Sequence, residues 1–541
     1  MKRKQVVIIF MIFMTLHSFG QRTKETVSKV WISDLGNGKY KNPILYADYS
    51  DPDVCRVGKD YYMTASSFNC VPGLPILHSN DLVNWTLINY ALPKQVPLDV
   101  FNKPQHGKGV WAPCIRYYND ELYIFYPDPD YGIYMTKTSD PYGDWSEPVL
   151  IKPGKGIIDP APFWDDNGKA YLGYAFAGSR AGTKSVLMIC SMSKDGASTL
   201  DDDVLIFDGH EGHKTVEGPK IYKRDDYYYV FAPAGGVSTG WQLILRSKNI
   251  YGPYEEKVVL EQGSTEINGP HQGAWVDTVT DEHWFIHFQD QGPYGRVVHL
   301  NPMSWKNHWP VMGVDYDGNG IGEPVSEFKK PNVGASYPIT TPPDSDEFNE
   351  PEQGLQWQWH ANKHITWGYP SARMGYFRLN CFPKPEGYVN LWEVPNILAQ
   401  KFPANEFTAT VKFDFTPNFD NEEFGFLIMG RSYSYLAVKN IDGQLKLVQV
   451  TCDDADKGAA ESIKILSDLK NNQLYFRVTV DQSASSQFYY SYDNKNFIEA
   501  GEKFKAREGG WIGSKIGFVA LREGKINNAG YTNIDWFRVT K

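Results

Sequence analysis

The chain has 541 residues, 42% hydrophobic and 22% charged, with a formal net charge of −10; this is ordinary globular usage and excludes a wholly disordered chain. With no basic surplus, neither nucleic acid nor anionic lipid is an expected partner. Aromatics reach 15%, beside 48 Gly and 34 Pro, a mixture that favours short strands and tight turns over helical bundles.

Residues 1–20 read as an export signal. Lys2, Arg3 and Lys4 form a basic head, Val6 to Leu16 an apolar run, and Ser18 and Gly20 suit cleavage before Gln21. The run is too short to span a bilayer, and no Cys follows it to take a lipid. A periplasmic or secreted protein without membrane insertion is expected. Six cysteines (Cys55, Cys70, Cys114, Cys190, Cys381 and Cys452) match neither a zinc motif nor a disulfide-dense scaffold. Buried free thiols are the expectation.

From residue 40 one unit recurs five times: a polar turn, an alternating strand, a charged or Gly-containing turn, then an aromatic strand. Its anchors are Asp51, Ala112, Asp159, Glu217 and His271, spaced by 61, 47, 58 and 54 residues. Each interval holds about four strands with their turns, the size of a propeller blade. No stretch of similar length shows helical periodicity. A Pro/Thr/Ser-rich connector at 331–343 ends the repeats. Alternating strands such as Phe407-Thr408-Ala409-Thr410-Val411-Lys412-Phe413 then continue to a closing strand at Ile534–Val539. The predicted fold is all-β: a five-bladed β-propeller over 40–330, a linker at 331–343, and a jelly-roll or lectin-like β-sandwich over 344–541.

Equivalent positions on successive blades converge on the propeller axis. If each opening turn leads into an innermost strand, Asp51, Asp159, Glu217 and His271 face one cavity. Acidic turn residues are common singly; three at matched repeat positions are costly to bury without a task. Three carboxyl groups without a nucleophile–base pair or a metal cluster suit acetal cleavage. One carboxylate activates water, one protonated acid serves the leaving oxygen, and a third carboxylate raises the acid's pKa.

Three of these runs, Tyr49-Ser50-Asp51-Pro52-Asp53, Ile158-Asp159-Pro160 and Val216-Glu217-Gly218-Pro219, resemble the catalytic motifs of glycoside hydrolase family 43. Gly295-Arg296, with Pro302-Met303-Ser304-Trp305 and Trp309-Pro310, resembles its closing-blade motif. Leu355-Gln356-Trp357-Gln358-Trp359 and Asp535-Trp536-Phe537 resemble the sandwich of its β-xylosidases and α-L-arabinofuranosidases. The resemblance implies an inverting, exo-acting pentosidase on plant polysaccharides or oligosaccharides. It implies Asp51 as general base, Glu217 as general acid and Asp159 as the residue tuning and orienting that acid. It also implies Arg296 as a sugar contact, and Trp111 and Phe68 as pocket walls that could equally be core packing. Trp511 stands where a sandwich-loop aromatic closes the pocket. The run Gly269-Pro270-His271-Gln272-Gly273 departs from the xylosidase pattern and leans the reading toward non-reducing-end α-L-arabinofuranosides, with β-D-xylosides as the alternative. No cofactor is required on this reading; His271 orients the acids or holds a hydrated structural calcium.

Asp315-Tyr316-Asp317-Gly318-Asn319-Gly320 imitates an EF-hand start, but Ser326 stands at the twelfth position, so a polar turn is expected. Asp201-Asp202-Asp203 reads as a solvated loop. Two rival classes are weighed. A non-catalytic carbohydrate-binding propeller should have lost an acid position, and all three acids are present. A sialidase-like propeller, prompted by the turn from Ser79 to Trp85, would need an arginine cluster and a tyrosine nucleophile, and neither is placeable.

Overall fold

The computed structural model describes residues 27–371, 373–524 and 527–541; the predicted export signal at 1–20 lies outside the described residues. The chain is almost entirely β. Five four-stranded antiparallel sheets form a propeller, each built from consecutive strands. The innermost strands, blade by blade, are Asp53–Val57, Cys114–Tyr118, Ile157–Trp164, Lys220–Arg224 and His271–Asp277. The polar turns of the repeat close the inner hairpins. Asn119 and Asp120 both take positive φ, 49° and 62°, as a two-residue hairpin matched to strand twist demands.

One buried apolar cluster fills each gap between blades, because the second and third strands are buried on both faces. Leu74 and Ile76 meet Ile115 and Ile124 between blades 1 and 2. Phe125 meets Leu172 between blades 2 and 3. Ile189 meets Val230 between blades 3 and 4, and Phe231 meets Phe285 between blades 4 and 5. The ring is closed without strand exchange. Met63 and Trp85 of blade 1 pack on Trp284 and Ile286 of blade 5, and Tyr40, Ile44 and Leu45 seal the seam. Tyr40 donates to the Leu300 carbonyl at 2.7 Å, and strand Lys39–Lys41 pairs with Glu327–Lys329. The turn at Ser79–Trp85 is structural: Asp81 accepts from the Val83 and Asn84 N–H groups and pairs with Lys330.

The linker has no regular strand. Beyond it, sheets of eight and seven strands enclose a phenylalanine-rich core that includes Phe413, Phe426, Phe518 and Phe537. The last strand, Tyr531–Thr540, is central, lying between Tyr376–Asn380 and Phe407–Thr416. The sandwich docks on blade 1. Val71 exchanges backbone hydrogen bonds with Trp359, Asn69 donates to the His360 carbonyl at 2.8 Å, and Gln95 pairs with Asn362. All six cysteines are free, and all but Cys55 are buried. Asp315 accepts from the N–H groups of Gly318 and Gly320 at 2.8 and 2.9 Å, forming a polar turn.

Candidate active site

The predicted axial residues do gather, each by a different backbone device. Asp51 precedes the blade 1 inner strand at φ 54°. Asp159 lies within the blade 3 inner strand at φ 57°, where a bulge between Ile158 and Ala161 leaves it unpaired beside Pro160. Pro has no N–H to offer a ladder, so the bulge accommodates it. Left-handed aspartates are strained positions that a fold keeps where geometry matters. Glu217 sits in the turn before the blade 4 strand, its N–H bonded to the Pro233 carbonyl at 3.1 Å. His271 opens the blade 5 strand.

Asp51 is surrounded by donors. Its Oδ2 accepts from the Ser50 and Ser66 hydroxyls at 2.7 and 2.6 Å, and Arg296 Nη1 lies 3.1 Å from Oδ1. Arg296 is positioned by its own N–H, which donates to Asp48 at 2.9 Å. The other Asp48 oxygen accepts from Gly513 N–H of the sandwich at 3.0 Å. Gly295 is required here: at φ 79°, a Cβ would lie 2.4 Å from that of Asp48. The guanidinium stacks 4.7 Å from the Phe288 ring and 5.7 Å from Trp511.

Asp159 Oδ2 accepts from Gly218 N–H at 2.7 Å, so it grips the backbone next to Glu217. Burial pushes the Asp159 carboxyl up to about 6, aided by the Asp51 charge and opposed by Gly218 N–H, Lys220 and a hydrogen bond from Gln272. Burial pushes Glu217 further, up to about 8, with the charges of Asp159 and Asp51 adding and Arg296 and Lys184 opposing. The Glu217 side chain keeps 29% exposure. Asp159 and Glu217 thus differ in acidity, the kind of separation that lets one carboxyl keep its proton at neutral pH while the other gives it up.

His271 is 1% exposed, with Nε2 lying 3.5 Å from Glu217 Oε1. Burial, then Arg296, pushes the imidazole down to about 3, so it is neutral. A calcium ion would find here an imidazole and one carboxylate, whereas calcium takes roughly six to eight oxygen ligands. Among the described residues no group of three or more His, Cys, Asp or Glu is arranged to hold a metal. A hydrated ion held by His271 would draw its remaining oxygen ligands from water, and no step is routed through a metal.

The aromatic candidates form one wall. The Phe68 ring is buried, 6.4 Å from the half-buried Trp111, which lies 6.1 Å from Trp511. Trp111 Nε1 donates to the Gly107 carbonyl at 2.9 Å, and the Arg180 guanidinium lies 5.6 Å from its ring. Trp511, at 52% exposure, comes from the sandwich and lies over Gly107, where a Cβ would stand 3.3 Å from the indole. Sequence reasoning missed Asp48, Ser66, Gln272 and Lys220. The first lies one residue before the quoted motif, and Gln272 directly follows His271. Lys220 directly follows the quoted Val216–Pro219 run, and Ser66 carried no local signal.

A model of glycosyl hydrolases family 43 matches residues 40–310, and a β-xylosidase C-terminal concanavalin A-like domain matches 345–540. A Xylanibacter ruminicola protein with a provisional β-xylosidase name is 38% identical over 91% of this chain and 88% of its own length. A Formosa agariphila β-xylosidase is 33% identical, covering 93% and 90%. A non-reducing-end α-L-arabinofuranosidase of Bacteroides ovatus is 27% identical over 94% and 96%. Among solved structures, a family 43 protein from Bacillus licheniformis superposes with a TM-score of 0.79 at 27% identity, covering 93% of this chain and 99% of the other. No helix among the described residues is long and apolar enough to cross a membrane. A propeller carrying acids on its axis, matched over its length by this family's model and by relatives above 30% identity, is a glycoside hydrolase belonging to glycosyl hydrolases family 43.

Proposed function

We propose an exo-acting, inverting β-D-xylosidase that trims non-reducing-end xylose from plant-derived oligosaccharides. The observation that carries the chemistry is Glu217, raised to about 8 beside Asp159 and partly exposed. Glu217 gives its proton to the glycosidic oxygen as the C–O bond breaks. Water attacks the anomeric carbon from the opposite face and loses its proton to Asp51, so the configuration inverts. Asp159 orients Glu217 through Gly218 and holds its proton on electrostatically. Arg296 sets the Asp51 carboxylate and, with Phe68, Trp111 and Trp511, shapes the terminal-sugar pocket. The xyloside assignment is supported by the names of the two relatives above 30% identity. A second reading, α-L-arabinofuranosidase, draws on the Pro270-His271-Gln272-Gly273 run and on the Bacteroides relative. With residues 1–20 read as an export signal, the work is placed in the periplasm or outside the cell.

Initial rates on aryl β-D-xylopyranoside and aryl α-L-arabinofuranoside test this directly. A kcat/KM advantage of about ten-fold or more for the xyloside is expected. The reverse ratio would keep the acids and move the substrate to arabinose side chains, and inactivity on both would return the binding-module class.

The pH profile gives a separate expectation. Glu217 must be protonated, so kcat/KM falls on the alkaline side around the pKa of about 8. Because the Asp159 charge raises that value, Asp159→Asn should move the alkaline limb to lower pH, by about one unit. An unmoved limb would show that this pair does not control it.

A further inference from the structure

Beside Glu217 the propeller rim opens into a groove of about 570 Å³ whose walls include Ser179, Thr183, Lys184, Ser185, His210 and Lys214. Its floor and the acid share one backbone segment. Ser185, at φ 65°, accepts through its hydroxyl from Thr215 N–H at 2.8 Å and through its carbonyl from Gly209 N–H at 2.9 Å. Thr215 is two residues before Glu217. Lys184 runs its methylenes along Gly178, where a Cβ would stand 3.4 Å from Cδ. It lies close enough for its charge to act on Glu217.

The lining has no carboxylate, in a chain of net charge −10. Among the described residues neither Lys184 nor Lys214 has an ion-pair partner, whereas the neighbouring Arg180 pairs with Asp130. Arg180, between the groove's Ser179 and Gly182, lies 5.6 Å from the Trp111 ring, so the groove adjoins the aromatic wall of the pocket.

We propose that the groove receives the leaving-group part of the substrate and selects oligosaccharides that carry a carboxylate-bearing sugar, a uronic acid, next to the scissile bond. This deepens the glycosidase reading and rests on Glu217 as the proton donor. Two unpaired ammonium groups at the mouth of an acid-free groove attract a carboxylate without having to release another partner. Serine and threonine hydroxyls supply matching donors and acceptors for ring hydroxyls.

The test compares two substrates on the full mature protein: a linear xylo-oligosaccharide, and the same oligosaccharide bearing glucuronic acid on the unit next to the terminal xylose. At low ionic strength the acidic substrate should have the higher kcat/KM, by roughly five-fold, with the advantage shrinking as salt is added. In the double variant Lys184→Gln, Lys214→Gln the ratio should fall to about one. Any effect of Lys184 on the Glu217 proton acts on both substrates and cancels in the ratio. A wild-type ratio of one or below overturns the proposal, as does an advantage that survives the double substitution. If neither substrate is hydrolysed, the glycosidase reading has failed; calorimetric binding of the same two oligosaccharides then decides the groove alone.

Discussion

Glu217→Gln is expected to lower kcat/KM on xylo-oligosaccharides by about three to four orders of magnitude, because an unactivated sugar oxygen leaves only when protonated. On an aryl glycoside whose leaving phenol is already acidic, the loss should be about ten-fold, since departure then needs little proton transfer. The alkaline limb of the pH profile should vanish with it. Glutamine preserves the shape at a partly exposed position, so folding is not at issue. Equal losses on both substrate types would mean that Glu217 does not serve the leaving group, and unchanged turnover would remove it from the reaction.

Asp51→Asn should show the complementary pattern. Activation of water is needed whatever leaves, so the fall of about four orders of magnitude is expected on aryl and oligosaccharide substrates alike. A second consequence follows from packing. Asp51 and Arg296 are a buried ion pair, with side chains 8% and 9% exposed. The substitution leaves the guanidinium with the more distant Asp290, 3.9 Å from Nε, as its remaining ion-pair partner, so the loss should sit near or below the low end of the roughly 3–5 kcal/mol typical of a broken buried pair. Denaturant unfolding of the variant should show that loss, while Glu217→Gln should not. A variant that is inactive yet as stable as wild type would mean that the pair contributes nothing net to the fold. Activity retained on both substrates would refute Asp51 as the base.

These contrasts depend on features unequally visible in the sequence. The five blades were legible because each ends its inner hairpin in a local signal, such as Gly58-Lys59 or Asn119-Asp120, that short-range conformational preference alone decides. Strand alternation likewise marked the sandwich. It did not mark that Tyr531–Thr540 would be central, because alternation records which faces are buried and not which strands are neighbours. Trp511 and Gly107 lie about 400 residues apart in the chain, so a missing Cβ and an exposed indole carry no shared signal until the two domains dock.

The sequence by itself determined the all-β class, the repeat and the family, and singled out the three acids proposed for the reaction, since turn chemistry and residue type are local properties. Only the tertiary structure decided how those acids differ. Asp159 and Glu217 are ordinary carboxyl groups in the chain; burial on the axis and the charges of neighbouring blades raise them to about 6 and about 8. Asp51, by contrast, receives Ser66 from its own blade and Arg296 from the last. An acid's proton affinity is set by what surrounds it in space, and these surroundings come from four of the five blades.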